Sequence, residues 1–227
     1  MSLFLDYKDI VPELERLSDR FDDIHKEFIE NKPKLEIRDF TQQQKNYISK
    51  NHRGFPIQWD SYLNAKQTNS DVGWHMGGLT YQGIAHPFNA PTLPTLTETI
   101  LSIPNILVAG LNFLYPGAEL NWHNDRNYGG GATNAYRILW GLDVPVEEGR
   151  ESIFQMMDKE GNIETQIFEN NKFYAFDSNT THRVENKMTK ARIVMAMDVI
   201  PTRDLKEVKN KSNVMFNNVL GLGAIRI

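Results

Sequence analysis

Ile106-Leu107-Val108-Ala109-Gly110-Leu111-Asn112-Phe113-Leu114-Tyr115 is the stretch on which the fold turns. It is apolar at almost every position and is stopped by Pro116-Gly117. A short apolar run bounded by such turn residues reads as a buried strand. The wider run 103–116 is too short to span a bilayer and carries two prolines and two asparagines. Further strands are expected at 135–144, 152–157, 164–168, 172–176, 182–185 and 191–200, with Asp158-Lys159-Glu160-Gly161-Asn162 as a hairpin turn. Short strands separated by turns predict a sandwich or barrel, mainly β with flanking helices, rather than alternating βαβ units.

Upstream, Leu14, Leu17, Phe21, Ile24 and Phe28 recur at spacings of three and four. This predicts an amphipathic helix over 11–31, bounded by Pro12 and Pro33. A second helix is expected at 42–50 and a short one at 95–102. Residues 54–94 are rich in Gly, Pro, Asn and aromatics and read as loops and short strands, with one strand near 79–82. Residues 202–227 turn from polar to apolar. The chain is therefore read as one domain over 1–227: a helical part at 1–52, a β core at about 105–200, and an extension at 202–227.

The chain has 227 residues, 40% of them hydrophobic, a net charge of −4 and no cysteine. That length suffices for one sizeable core. The absence of Cys excludes disulfides and thiolate chemistry, and a cytoplasmic location is expected. Scattered Lys and Arg give no nucleic-acid footprint, and nothing reads as a membrane segment or secretory signal. Gly129-Gly130-Gly131 precedes an expected strand rather than a helix, so it is not a phosphate loop.

The chemistry concentrates in four side chains. His123-Asn124-Asp125 is an H-x-D pair; His182 lies 59 residues after His123, and Arg192 ten residues after His182. Two imidazoles and a carboxylate can hold one face of a non-haem Fe(II) ion and leave other positions open. Arg192 lies inside the apolar run Ala191-Arg192-Ile193-Val194-Met195-Ala196-Met197. Burying a guanidinium without an anion is expensive, and an arginine on a neighbouring strand can hold the far carboxylate of a co-substrate. Together the four point to iron and 2-oxoglutarate chemistry. An H-x-D pair alone is common by chance, and the bland reading of Arg192 places it on the wet face of an alternating strand. A Zn-dependent hydrolase and a non-catalytic ligand-binding barrel are the alternatives. Trp122, Asn124 and Arg126 adjoin the H-x-D pair and are candidate substrate contacts, and the glycine-bearing loop 126–134 is a candidate gate. His75 and His86 lack ligand-like spacing and read as structural.

Residues 111–145 resemble the aspartyl/asparaginyl β-hydroxylase family in Phe113-Leu114-Tyr115-Pro116-Gly117, His123-x-Asp125 and Arg137-Ile138-Leu139-Trp140-Gly141-Leu142. Residues 176–201 resemble it again in Phe176-Asp177, His182-x-Val184, Asn186, Arg192 and Asp198-Val199. A weaker likeness extends upstream through Gly73-Trp74 and Gly83. The resemblance implies a double-stranded β-helix, the jelly-roll or cupin-like fold. It implies His123, Asp125 and His182 as ligands of Fe(II), and Arg192, Arg137 and Asn112 as holders of 2-oxoglutarate. The implied reaction uses O2 to hydroxylate a C–H of an amino acid, a related metabolite or an Asp- or Asn-type peptide residue, releasing succinate and CO2. Leu139 departs from the family, which often has a histidine there; the retained Asp125 favours hydroxylation over halogenation. The expected partner is a small-molecule or peptide substrate.

Overall fold

The computed structural model describes residues 2–35, 73–81, 83–86, 88–124 and 136–204. Its strands are β1 (Trp74–Tyr81), β2 (Ile84–Ala85), β3 (Ile106–Leu114), β4 (Glu119–His123) and β5 (Tyr136–Asp143), then β6 (Ser152–Met157), β7 (Ile163–Ile167), β8 (Phe173–Asp177), β9 (Thr181–Asn186) and β10 (Arg192–Val199). They form two antiparallel sheets, ordered β2-β1-β3-β10-β5-β8 and β4-β9-β6-β7. From β3 onward the chain passes back and forth between the sheets, except at the β6–β7 hairpin. This winding is the double-stranded β-helix, or jelly roll.

Alternation along β10 explains the layers. Ile193, Met195, Met197 and Val199 join a core shared with the helices, while Val194 and Ala196 join a second core between the sheets. Every residue of β10 is buried, because both its faces are covered. Arg192 and Asp198 share the face of Val194 and Ala196, since successive side chains alternate. Arg192 is 2% exposed, which rules out the wet-face reading.

The helices are α1 (Tyr7–Ile10), α2 (Glu15–Asp19), α3 (Phe21–Asn31) and α4 (Pro94–Leu101). The single helix expected over 11–31 is broken: Pro12–Leu14 is a 3-10 turn, and Arg20 leaves helical geometry at φ −107°, ψ 14°. The break lets Leu14, Leu17, Ile24 and Phe28 all reach the core they share with Leu96 and Ile100 of α4, and Arg20 donates to Thr99 Oγ1 at 2.8 Å. α4 has no side-chain cap of its own; the Glu27 carboxylate accepts from Thr95 N (2.8 Å) and Leu96 N (3.0 Å) and fills that role from α3. These contacts tie the N-terminal helices to α4 within the helix layer.

β1 begins five residues earlier than the strand expected near 79–82, and β4 is a strand where none was expected. The 158–162 turn is closed by Asp158 N donating to Asn162 O at 3.0 Å and Asn162 N to Asp158 Oδ1 at 2.7 Å, with Gly161 at φ +88°. The helix expected at 42–50 and residues 205–227 of the extension lie outside the described residues; Thr202–Asp204 form a 3-10 turn. Among the described residues no helix is long and apolar enough to cross a membrane.

Candidate metal centre

His123 ends β4 and His182 is the second residue of β9, and the register pairs them directly. On β9, His182 shares the inner face with Val184. β4 needs an irregularity to bring His123 to that side: Leu120 pairs with Val184 and His123 with His182, so β4 spends three steps where β9 spends two. A bulge of this kind re-aims a side chain. The two rings lie 4.3 Å apart, centroid to centroid.

Each imidazole is oriented by a backbone carbonyl. His182 Nδ1 lies 2.8 Å from Thr180 O, and His123 Nδ1 lies 2.6 Å from Asn121 O. A carbonyl only accepts, so Nδ1 is the protonated nitrogen in both. In the neutral ring this leaves the lone pair on Nε2, the tautomer that binds a metal ion. His182 is 4% exposed and packs edge-on against both Phe154 (5.8 Å) and Phe176 (4.9 Å), which also touch each other. Among the described residues no three His, Asp or Glu side chains converge. Asp125, Arg126 and the loop 126–134 lie outside the described residues.

Arg192 opens β10 on the same barrel interior. Its guanidinium stacks over Phe168 at 4.4 Å, and Phe168 stacks on Phe154 at 5.8 Å, so ring contacts run unbroken from Arg192 to His182. Among the described residues no carboxylate pairs with Arg192, and its Nε is buried without a hydrogen-bond partner. Burial pushes the guanidinium down to about 9, with Tyr174 opposing the shift. Asn112 shares this interior: it lies opposite Val194, and its Oδ1 is likewise buried and unpartnered.

Arg137 is placed differently. Register sets it against Asp198, six residues beyond Arg192 on the same face of β10, and its Nε donates to Asp198 Oδ1 at 2.8 Å. Its charge therefore already has a buried counter-ion, with side chains 11% and 3% exposed. Trp122 meets Arg183 at 5.4 Å, and alternation places Arg183 on the opposite face of β9 from His182. Trp122 thus lies on the outside of the smaller sheet, away from the histidines. Asn124 is exposed beyond the end of β4. His86 is buried and pushed down to about 4, its Nδ1 accepting from Asn89 N at 3.0 Å, a structural arrangement. His75 packs edge-on against Tyr115 at 5.2 Å. Leu139 is 7% exposed and belongs to the core between the sheets.

Sequence reasoning passed over Phe154 and Phe168 of the cage, and it quoted Phe176 and Asp198 as family motif residues without assigning either a role. The rings carried no signal beyond ordinary strand hydrophobicity. Asp198 did: it is a charge in the same apolar strand that singled out Arg192.

Residues 7–201 match the family described as Aspartyl/Asparaginyl beta-hydroxylase. No curated protein matches the chain. Among solved structures, similarity is found to Peruvianin-I, a cysteine peptidase from Thevetia peruviana latex, at 11% identity and TM-score 0.37 over 58% of this chain and 64% of that one. A predicted oxalate decarboxylase from Thermotoga maritima matches at 13% identity and TM-score 0.34, over 56% of this chain and 80% of that one. Recombinant oxalate oxidase in complex with glycolate matches at 10% identity and TM-score 0.35, over 56% of this chain and 52% of that one.

Proposed function

The chain belongs to the aspartyl/asparaginyl β-hydroxylase family, and from that premise we propose that it is an Fe(II)- and 2-oxoglutarate-dependent dioxygenase. In this reading His123 and His182 hold the iron through Nε2, with Asp125 as the third ligand. The observation that carries it is Arg192, a buried guanidinium that no described carboxylate neutralises, joined by ring contacts to His182. A buried charge is retained where it meets an anion. The far carboxylate of 2-oxoglutarate is such an anion, and the planar fork of Arg192 matches it in two hydrogen bonds. Asn112 offers a neighbouring amide.

Bound iron with 2-oxoglutarate and O2 supplies the oxidation of a substrate C–H bond, with release of succinate and CO2. The chain's own residues do the rest. The Thr180 and Asn121 carbonyls keep Nδ1 protonated and so keep Nε2 turned to the metal side. Phe154, Phe168 and Phe176 exclude water between the histidines and Arg192. The Arg137–Asp198 pair sets the polarity of the same interior beyond Leu139 and Ala196. The substrate is an amino acid, an amino-acid-like metabolite or an Asp- or Asn-type peptide.

The test is oxygen-dependent succinate formation from 2-oxoglutarate by the purified protein with Fe(II), stimulated by candidate amino acids and peptides. His182→Ala abolishes it and weakens Fe(II) binding while the far-UV spectrum is unchanged. Equal iron affinity in His182→Ala and the parent overturns the assignment.

A further inference from the structure

The segment Ser2 to Leu5 precedes the residues that match the family. It runs along the seam between β7 and β8, the edge strands of the two sheets. Leu5 N donates to Ala175 O of β8 at 2.8 Å, joining the larger sheet. Leu3 N and Ser2 Oγ donate to the Glu164 carboxylate of β7 at 2.6 and 2.7 Å, joining the smaller one. Glu164 lies in the row that carries both histidines: it pairs with Met156, Met156 with His182, and His182 with His123. Between these anchors, Leu3 and Phe4 pack against the core between the sheets.

Phe4 meets Phe154 edge-on at 5.2 Å, and Phe154 meets His182 edge-on at 5.8 Å. Phe154 is fully buried and also touches Phe168 and Phe176. Its ring is held on the other sides by the cage, and Phe4 supplies the wall at the seam. Close-packed rings transmit a displacement, because a void on one side forfeits contacts outright.

We propose that Phe4 is a positioning residue for the metal centre: strapped across the seam by Glu164 and Ala175, it holds Phe154 against the imidazole of His182. The inference rests on the metal reading above. It assigns the strap a role that the matched residues alone do not contain, and it makes Glu164 the strap's anchor.

The test uses the full chain with Phe4→Ala, Phe4→Leu, Glu164→Ala and, as a control in the helix-side core, Ile100→Val. In metal-free protein, NMR follows the ring resonances of His182. Under anaerobic conditions, Fe(II) is titrated in the presence of 2-oxoglutarate, read by the visible charge-transfer absorption. Phe4→Ala shifts the His182 resonances and weakens Fe(II) binding by about tenfold, the scale of loss when a group that orients a metal ligand is removed. Phe4→Leu keeps the bulk and recovers most of both. Glu164→Ala, at a partly exposed site, frees the strap without opening the core and moves both readouts in the same direction. Ile100→Val moves neither. Resonances and Fe(II) affinity unchanged in Phe4→Ala and Glu164→Ala overturn the inference, as does an equal loss in Ile100→Val. If the parent itself binds no Fe(II), the metal reading falls, and the NMR arm alone decides the role of Phe4: a response in Phe4→Ala upholds it and none overturns it.

Discussion

Arg192 carries its charge in an interior where the surrounding groups are Phe168, Tyr174 and aliphatic side chains. Its value in the folded chain, about 9, lies below its unfolded one because desolvation disfavours the charged form. At neutral pH the guanidinium is charged in both states, so the full desolvation cost is present there. The cost shrinks as pH rises through about 9, where the folded state releases its proton first and the unfolded state binds more. An anion removes the same cost by pairing. Two outcomes follow for thermal unfolding monitored with and without 2-oxoglutarate. Arg192→Met leaves the ligand-free protein as stable as the parent or stabilises it by about 1–4 kcal/mol, the range for replacing buried charges with apolar groups. The same variant loses the stabilisation that 2-oxoglutarate gives the parent. Arg192→Lys keeps a charge but not the fork, and weakens 2-oxoglutarate binding by about 1.5–3 kcal/mol. A ligand response retained in Arg192→Met removes the residue from the site.

At the scale of elements, two irregularities stand out, and the first places the site. The first is the bulge in β4, which alone brings His123 to the side of His182. A one-residue change of register turns every side chain beyond it to the other face. Deleting Asn121 removes the extra residue, so regular alternation from Leu120 keeps His123 opposite His182, and Fe(II) titration finds binding retained with the far-UV spectrum and cooperative unfolding unchanged. Fe(II) binding lost from that deletion in folded protein refutes the reading of the bulge as a single extra residue. The second lies where β5 meets β10, with register shifting between Ile193 and Val194. There Gly141 N donates to Lys172 O at 3.0 Å and Asn171 N to Gly141 O at 2.8 Å. The chain at Glu169 passes so close that a β-carbon on Gly141 would collide with its backbone carbonyl. Gly141→Ala should destabilise by about 1–3 kcal/mol, as overpacking does, and chemical denaturation measures it. β4 was not legible beforehand, because Glu119-Leu120-Asn121-Trp122-His123 alternates over only five residues, and its period of two groups Trp122 with Leu120, whereas the bulge puts His123 on that side instead. The helix break at Arg20 was hidden for a related reason: Leu14, Leu17, Ile24 and Phe28 keep helical spacing across it.

The whole molecule divides its stability between two cores that share the larger sheet. Phe28 fills the one under the helices, against Phe113 at 6.5 Å, and Phe154 fills the one inside the barrel. Truncating either to alanine costs about 3–5 kcal/mol by the usual sum of transfer and cavity terms. The two differ in what they do to the site. Phe28→Ala leaves Fe(II) affinity at the parent's value in folded protein, whereas Phe154→Ala weakens it, since of the two Phe154 is the one that touches His182. Paired denaturation curves and Fe(II) titrations separate the cases, and an equal effect on iron from both would mean the cores are not independent.

By itself the sequence determined the strands of 106–200 other than β4, because apolar or alternating runs stand out between turns that carry Pro, Gly, Asn or Asp. It also named His123, His182 and Arg192, because charged and metal-binding side chains stand out against an apolar strand or a short spacing. Only the tertiary structure decided which way they point and what they meet. Arg192 and Arg137 look alike as arginines in strands, yet register gives Asp198 to Arg137 and no described carboxylate to Arg192. Trp122 and His123 are adjacent in sequence, yet the bulge in β4 puts His123 opposite His182 and leaves Trp122 against Arg183 on the outer face. The cage of Phe154, Phe168 and Phe176, and the Phe4 strap behind it, are assembled from residues far apart in the chain. Such contacts depend on which strands become neighbours, and strand order is set by the winding of two sheets around one core rather than by any local pattern.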